Sequence, residues 1–153
     1  MSYDRQQRNR GLELSTYGEF QLGLRGIAGF TFLDPEITKT GTASERGNDA
    51  AGIPGFMFSA GLDWDAPWVR GLAFNGRVIH TAGAYLTNAN TEQFDDWTRF
   101  DIGARYRMEV AGTSVVLRTN IENIFDTAYW LTTGTYVTVG APRTFILSAT
   151  ADF

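Results

Sequence analysis

The sequence predicts an all-β chain, a transmembrane antiparallel up-and-down β-barrel of which these residues supply about seven strands. Three observations predict it. Hydrophobicity alternates with a period of two in segment after segment, while helical spacing is almost absent. The connections alternate between short turns and long polar loops, the pattern of outer-membrane barrels with short periplasmic turns and long extracellular loops. The second face of the strands is small, glycine-rich and charged, which suits a wet lumen and not the apolar filling of a small soluble barrel.

Composition narrows the classes further. The 153 residues are one domain's worth, with no cysteine, so neither a disulfide framework nor a thiolate metal site is available. A 43% hydrophobic content is too high for a disordered tail, and no apolar run approaches the roughly 18 residues of a spanning helix. The net charge of −4 leaves no electrostatic footprint for nucleic acid, which is not expected as a partner. Residues 1–8 lack the apolar core of a secretory signal, so an export signal lies on other sequence or the protein stays in the cytosol.

Taken in order, the strands are expected near residues 9–18, 19–33, 54–66, 70–86, 97–110, 113–127 and 142–153. The first two flank a turn at Tyr17-Gly18-Glu19, and Phe20, Leu22, Leu24, Gly26, Ala28, Phe30 and Phe32 form one face of the second. A long polar connection then runs from Asp34 to Ile53. The third strand sets Phe56, Phe58, Ala60, Leu62 and Trp64 against Met57, Ser59, Gly61, Asp63 and Asp65, and ends in Asp65-Ala66-Pro67-Trp68. The fourth carries the only histidine, His80; Thr87 to Asp96 is the next long loop. The fifth, from Phe100 to Val110, is the clearest: Phe100, Ile102, Ala104, Tyr106, Met108 and Val110 share one face. Val110-Ala111-Gly112-Thr113 turns into the sixth, and Thr127 to Ala141 is the last long loop. In the seventh, Phe145, Leu147, Ala149, Ala151 and Phe153 alternate with Thr144, Ser148, Thr150 and Asp152.

Glu13, Arg25, Asp63, Arg77, Asp101, Arg105, Arg107, Glu109, Arg118 and Glu122 all fall on the polar face, which is expected to form the lumen wall. Trp64 and Trp68 cluster at one rim, and Trp97, Tyr129 and Trp130 at the other, as two interfacial girdles in a lipid bilayer. With the last long loop outside, the final strand descends and the C-terminus is periplasmic. Seven strands then place the N-terminus outside, whereas closed single-chain barrels have an even number, so an incomplete barrel is expected.

The C-terminal third carries more than periodicity. Asn120-Ile121-Glu122-Asn123-Ile124-Phe125-Asp126-Thr127-Ala128-Tyr129-Trp130, then Gly140-Ala141-Pro142-Arg143-Thr144-Phe145 and a strand ending at Phe153, resembles the closing segment of TonB-dependent outer-membrane receptors, ferric-siderophore branch. Arg10-Gly11-Leu12-Glu13-Leu14, Gly29-Phe30-Thr31-Phe32-Leu33-Asp34 and Ile53-Pro54 extend the likeness over essentially the whole chain, residues 1–153. Ile124 stands where the family has Leu. The resemblance implies the C-terminal part of a receptor barrel in the bacterial cell outer membrane, with no counterpart of the plug domain or TonB box in these residues. Its implied partners are a ferric siderophore, TonB through the missing N-terminal region, and the barrel-assembly machinery, which would read the terminal strand ending in Phe153. No cofactor is implied, iron arriving only as a siderophore chelate.

Candidate sites divide by chemistry. No enzyme is expected, because no Ser-His-Asp pattern surrounds His80, which is read as structural. Glu92 with Asp95-Asp96 forms an acidic loop without the ligand spacing of a calcium cage, and is read as solvated; no metal site is expected. For a siderophore receptor, Tyr85, Trp97, Tyr129, Trp130 and Tyr136 are the candidates to hold the chelate, since aromatic faces offer rigid contact area with a polar handle. The same rings would form the girdle if they faced lipid, and of the two roles the girdle is favoured. The family-motif residues Asn123, Phe125, Asp126, Gly140, Pro142, Arg143 and Phe153 are expected to be structural, with Asp126 capping a turn through its own backbone and Pro142 opening the last strand. Two other readings stay open: a free-standing eight-stranded barrel with a structural or adhesion role, and a soluble ligand-binding barrel.

Overall fold

The computed structural model describes residues 5–132 and 136–152. The strands are β1 (Gln6–Gln21), β2 (Leu24–Lys39), β3 (Phe56–Asp65), β4 (Leu72–Thr81), β5 (Ala84–Tyr85), β6 (Gln93–Phe94), β7 (Trp97–Val110), β8 (Thr113–Glu122), β9 (Trp130–Thr132), β10 (Val137–Val139) and β11 (Thr144–Asp152). Seven of them form one antiparallel meander in the order β1-β2-β3-β4-β7-β8-β11. The β5–β6 and β9–β10 pairs are small hairpins within the long loops. All seven expected strands are present.

Register converts alternation into two faces. One row across the sheet reads Gly18, Gly26, Leu62, Gly76, Ile102, Ile121 and Phe145. The next row along reads Glu19, Arg25, Asp63, Asn75, Gly103, Asn120 and Ile146. A single residue step therefore changes an apolar row into a polar one, because successive side chains point to opposite faces. On the apolar face Phe30 stacks beside Phe58 at 4.8 Å, Phe32 beside Phe56 at 5.0 Å, and Trp64 meets Trp68 edge-on at 5.0 Å. His80 belongs to this face, beside Phe56, with its Nδ1 2.9 Å from the Thr98 hydroxyl.

Leu14, Phe20, Leu62 and Leu147 leave 52, 70, 55 and 80% of their surface open. An apolar surface this continuous calls for hydrocarbon, not water. The band from Leu24 to Phe32 is about 26 Å long at ~3.3 Å per residue. At a tilt of ~40° this is about 20 Å along the bilayer normal, close to the apolar height of outer-membrane barrels. Beyond Phe32 the same face turns charged: Arg10 lies opposite Asp34, and Arg8 forms an ion pair with Glu36.

Three expected boundaries are corrected. Tyr17-Gly18-Glu19 is not a turn. Gly18 sits in β1 opposite Gly26, and the chain reverses at Leu22-Gly23, where Gly23 has φ +79° and donates its N–H to the Glu19 carboxylate at 2.7 Å. The ladder slips by one between Glu19 and Gln21, so Phe20 is the extra residue of a bulge and its ring lies against Gly26. Phe20 and Leu22 therefore belong to β1 and the turn, not to the second strand. Second, β2 continues to Lys39 where a loop was expected from Asp34. Its charges pair with β1 above the apolar band, and Ile37, 1% exposed, is covered by the segment 47–50 through Ile37 N–H to Asn48 O (2.8 Å) and Ala50 N–H to Pro35 O (2.6 Å). Third, β8 stops at Glu122, because Asn123 turns left-handed at φ +54°. The Val110–Thr113 turn stands as expected, with Ala111 and Gly112 at φ +52° and +83°.

A side chain at a left-handed turn position costs about 1–2 kcal/mol, whereas one on an open extended strand costs little. Gly23→Ala should therefore lower unfolding stability by about 1 kcal/mol or more, with Gly18→Ala within about 0.5 kcal/mol of wild type, read by urea titration of heat-modifiable gel mobility. Equal losses at both glycines would restore the turn to Gly18.

Candidate functional site

The polar face is organised by two adjoining ion clusters. Arg25 lies directly opposite Asp63 across β2 and β3, and reaches Asp65 at 2.8 Å as well. Arg105, two strands away, pairs with both Asp63 and Asp65, meeting Asp65 at 3.0 Å. It can cross β4 because the residue between them in the row is Ala73, small and 2% exposed. The next row works the same way: Gly103 lies between Asn75 and Asn120, whose amide oxygens would both clash with any Cβ placed there.

Asp101 is the centre of the second cluster. Only 7% exposed, it accepts from Arg77 at 2.7 Å and Arg99 at 2.9 Å on one oxygen, and from the Asn123 backbone N–H at 2.8 Å on the other. Arg99 continues to Glu122 at 3.6 Å and donates to the Tyr129 hydroxyl at 3.3 Å. Over the two clusters, Arg25, Arg77, Arg99 and Arg105 face Asp63, Asp65, Asp101 and Glu122, so the wall is charged yet neutral. A cavity of about 620 Å³ lies over it, lined by Arg25, Asp63, Asn75, Arg77, Asp101 and Arg105 among others.

The Asn-Ile-Phe-Asp motif is a latch between the end of β8 and the start of β11. Asn123, 1% exposed, donates from Nδ2 to Thr127 O at 2.9 Å and Ala141 O at 3.1 Å, and its Oδ1 accepts from Thr127 N–H at 2.9 Å. Asp126 does not cap its own backbone as expected. Its carboxylate accepts from the Arg143 N–H at 2.8 Å, because the left-handed turn at φ +54° aims it across to the next strand. Phe125 lies edge-on to Phe100 on the apolar face at 5.5 Å. Pro142 precedes β11, which opens at Thr144. Gly140 makes room for Tyr129, whose ring would collide with any Cβ there. Phe153 lies outside the described residues.

The five aromatic candidates separate at the long-loop rim. Trp97 and Tyr129 stack on one another at 4.3 Å, with Tyr129 only 6% exposed. Trp97 lies on the polar face, in register with Thr81, so these two rings are not part of a lipid girdle. Trp130 is exposed and lines a cavity of about 200 Å³ with Trp97. Tyr85 lies apart, lining a cavity of about 470 Å³ with Pro35 and Ile53, and its carbonyl accepts from Gly52 N–H at 2.8 Å. Tyr136 is exposed. Two long loops at this rim are tied together: Asn48 Nδ2 donates to Asn88 O at 2.8 Å, Ala51 N–H to Asn88 Oδ1 at 3.1 Å, and Asp49 N–H to Asn90 Oδ1 at 2.8 Å.

Sequence reasoning set Asp65 on the polar face of its strand without carrying it into the lumen wall, and missed Arg99. Parity would have found Arg99, since it is two residues from Asp101 on the same face. No sequence signal marks Asn88 and Asn90. Among the described residues, no group of His, Cys, Asp and Glu is placed to hold a metal ion.

Asn123→Ala removes three hydrogen bonds from a buried left-handed position. At ~1 kcal/mol per bond and ~1 kcal/mol for the backbone, it should destabilise by about 3–4 kcal/mol in the same urea titration. Asp126→Asn keeps an acceptor for the Arg143 N–H and should cost under about 1 kcal/mol. A near-neutral Asn123→Ala would show that the latch does not hold the sheet's end.

Residues 2–124 match the family model described as TonB dependent receptor-like, beta-barrel. Over 151 residues the chain is 41% identical to the ferrichrome receptor FcuA of Yersinia enterocolitica, covering 97% of this chain and 20% of that protein. The crystal structure of BauA, the ferric preacinetobactin receptor of Acinetobacter baumannii, superposes with a TM-score of 0.91 at 38% identity, over 98% of this chain and 23% of that one. The siderophore receptor PiuA from the same species superposes with a TM-score of 0.82 at 25% identity, over 96% of this chain and 22% of that one. The chain thus spans about a fifth of the length of these relatives.

Proposed function

This chain belongs to the TonB-dependent receptor β-barrel family, and from that premise we propose that it forms part of the wall, outer loops and closing strand of a receptor that takes up ferric siderophores across the outer membrane. The observation that carries this reading is the match over nearly the whole chain to proteins described as receptors for ferrichrome and ferric preacinetobactin. The polar face then lines the lumen, and the apolar face meets lipid. Iron enters as cargo inside its chelate, which suits a rim built from aromatic rings and not from metal ligands.

In this reading each candidate has a part. Trp130 and Tyr136, exposed on the long-loop rim, meet the chelate first. Trp97 offers a ring face fixed from behind by Tyr129, which Arg99 holds through its hydroxyl, and Tyr85 lines a neighbouring cavity. A ring held in advance loses little freedom on binding, which favours affinity. In this reading the long-loop rim is extracellular and the C-terminus periplasmic. The barrel-assembly machinery recognises the terminal strand, and energy arrives from TonB through residues outside this chain.

The test is uptake of radio-iron by iron-starved cells offered a panel of ferric siderophores. Deleting the gene that carries this segment should abolish uptake of at least one of them. In the restored strain, Trp97→Ala should raise the half-saturation concentration about tenfold, equivalent to ~1.4 kcal/mol, with an unchanged amount of receptor in the outer membrane. Wild-type uptake of every ferric siderophore in the deletion strain would sink the receptor reading.

A further inference from the structure

We infer that the cavity of about 200 Å³ at the long-loop rim is a binding site for a cationic, ammonium-type group of a small ligand. Two regions distant in sequence bring aromatic rings to it: Phe94 of β6 with Trp97 of β7, and Trp130 of β9. Tyr129 covers one face of Trp97 and is absent from the lining, so the cavity meets the remaining surface of the indole. Thr132, also in the lining, donates its hydroxyl to Gly52 O and so ties β9 to the loop that precedes β3.

Charge decides what fits. Asp95 is the one ionisable residue of the lining, and it makes no ion pair among the described residues. Ring faces carry negative electrostatic potential and attract ammonium groups, most strongly where water is partly excluded. An unpaired carboxylate beside three such rings adds to the same sign, so the cavity favours a cation and disfavours carboxylate or catecholate groups. A metal ion is a poorer occupant, because one carboxylate cannot supply the six to eight oxygens of a calcium site. The volume is below the ~300 Å³ at which pockets enclose whole drug-sized ligands, so it accommodates one group of a ligand and leaves the rest outside. The larger cavity on the polar face is lined by arginines and carboxylates in balance and carries no such preference, so the two would engage different parts of one cargo.

The assignment rests on reading the long-loop rim as the mouth that meets cargo, but its test needs neither iron nor a siderophore. Choline and 3,3-dimethylbutan-1-ol have the same shape and differ in charge. Each is titrated into the full-length protein purified in detergent, with saturation-transfer NMR as the readout and gel mobility as the check of folding. Choline should bind at least tenfold more tightly than the alcohol. Asp95→Asn, a shape-preserving change on an exposed loop, should weaken choline about fivefold and leave the alcohol unchanged, and Trp130→Ala should weaken both. Equal affinities for the two probes, no binding of either, or choline binding indifferent to Asp95→Asn would overturn the proposal. Choline selectivity in a protein that transports no ferric siderophore would sink the receptor reading and leave this site standing.

Discussion

Between two irregularities near the ends of β1, at Gln6 and at Phe20, seven strands share a register that keeps parity, and nearly everything else in the molecule depends on it. In hydrocarbon each backbone N–H and C=O must find a partner in the neighbouring strand, so the ladder cannot relax locally to suit its side chains. A slip of one residue between β3 and β4 would carry Asn75 and Arg77 to the lipid face and strand Phe74 and Val78 among charges. Apolar burial on one side and ion pairing on the other thus enforce the same alignment. The single tolerated irregularity near the turns, the bulge at Phe20, occurs where the ring can settle on Gly26.

Asp101 extends that order from the wall to the rim. Its carboxylate is almost fully buried, so leaving it unpaired would cost several kcal/mol, and three donors from three directions meet it. One comes from the latch at Asn123, another from Arg99, whose other arm holds the Tyr129 hydroxyl. A continuous path of bonded groups therefore runs from the junction of β8 and β11 to the stacked pair of Trp97 and Tyr129. Small residues make the path possible: Ala73 lets Arg105 across, Gly103 admits two amides, and Gly140 seats the tyrosine.

Much of this was legible in advance and some was not. All seven strands follow from period-two alternation, and six of the side chains lining the polar cavity were assigned to that face by parity alone. The turn at Leu22-Gly23 was misplaced because a glycine at Gly18 looks like a reversal until the partner strand shows it paired with Gly26. The upper part of β2 looked like a loop because its charges, above the bilayer, break the apolar pattern without breaking the ladder. Asp126 was recognised as structural, but its partner, the Arg143 N–H, lies 17 residues on and cannot be inferred locally.

The sequence by itself determined the class of the chain, the seven strands of its main sheet and the sign of each face. Alternation is a local property, and the side-chain period of a strand is fixed by backbone stereochemistry. Only the tertiary structure decided that Trp97 turns inward to stack on Tyr129, that Arg99 joins the ion cluster to the rim, and that Phe94, Asp95 and Trp130 surround one small cavity. These meetings involve residues from about 30 to 36 positions apart in sequence, brought together by strand register and by loops folded across one another. Such closure depends on the geometry of the whole sheet, and no periodicity within a segment encodes it.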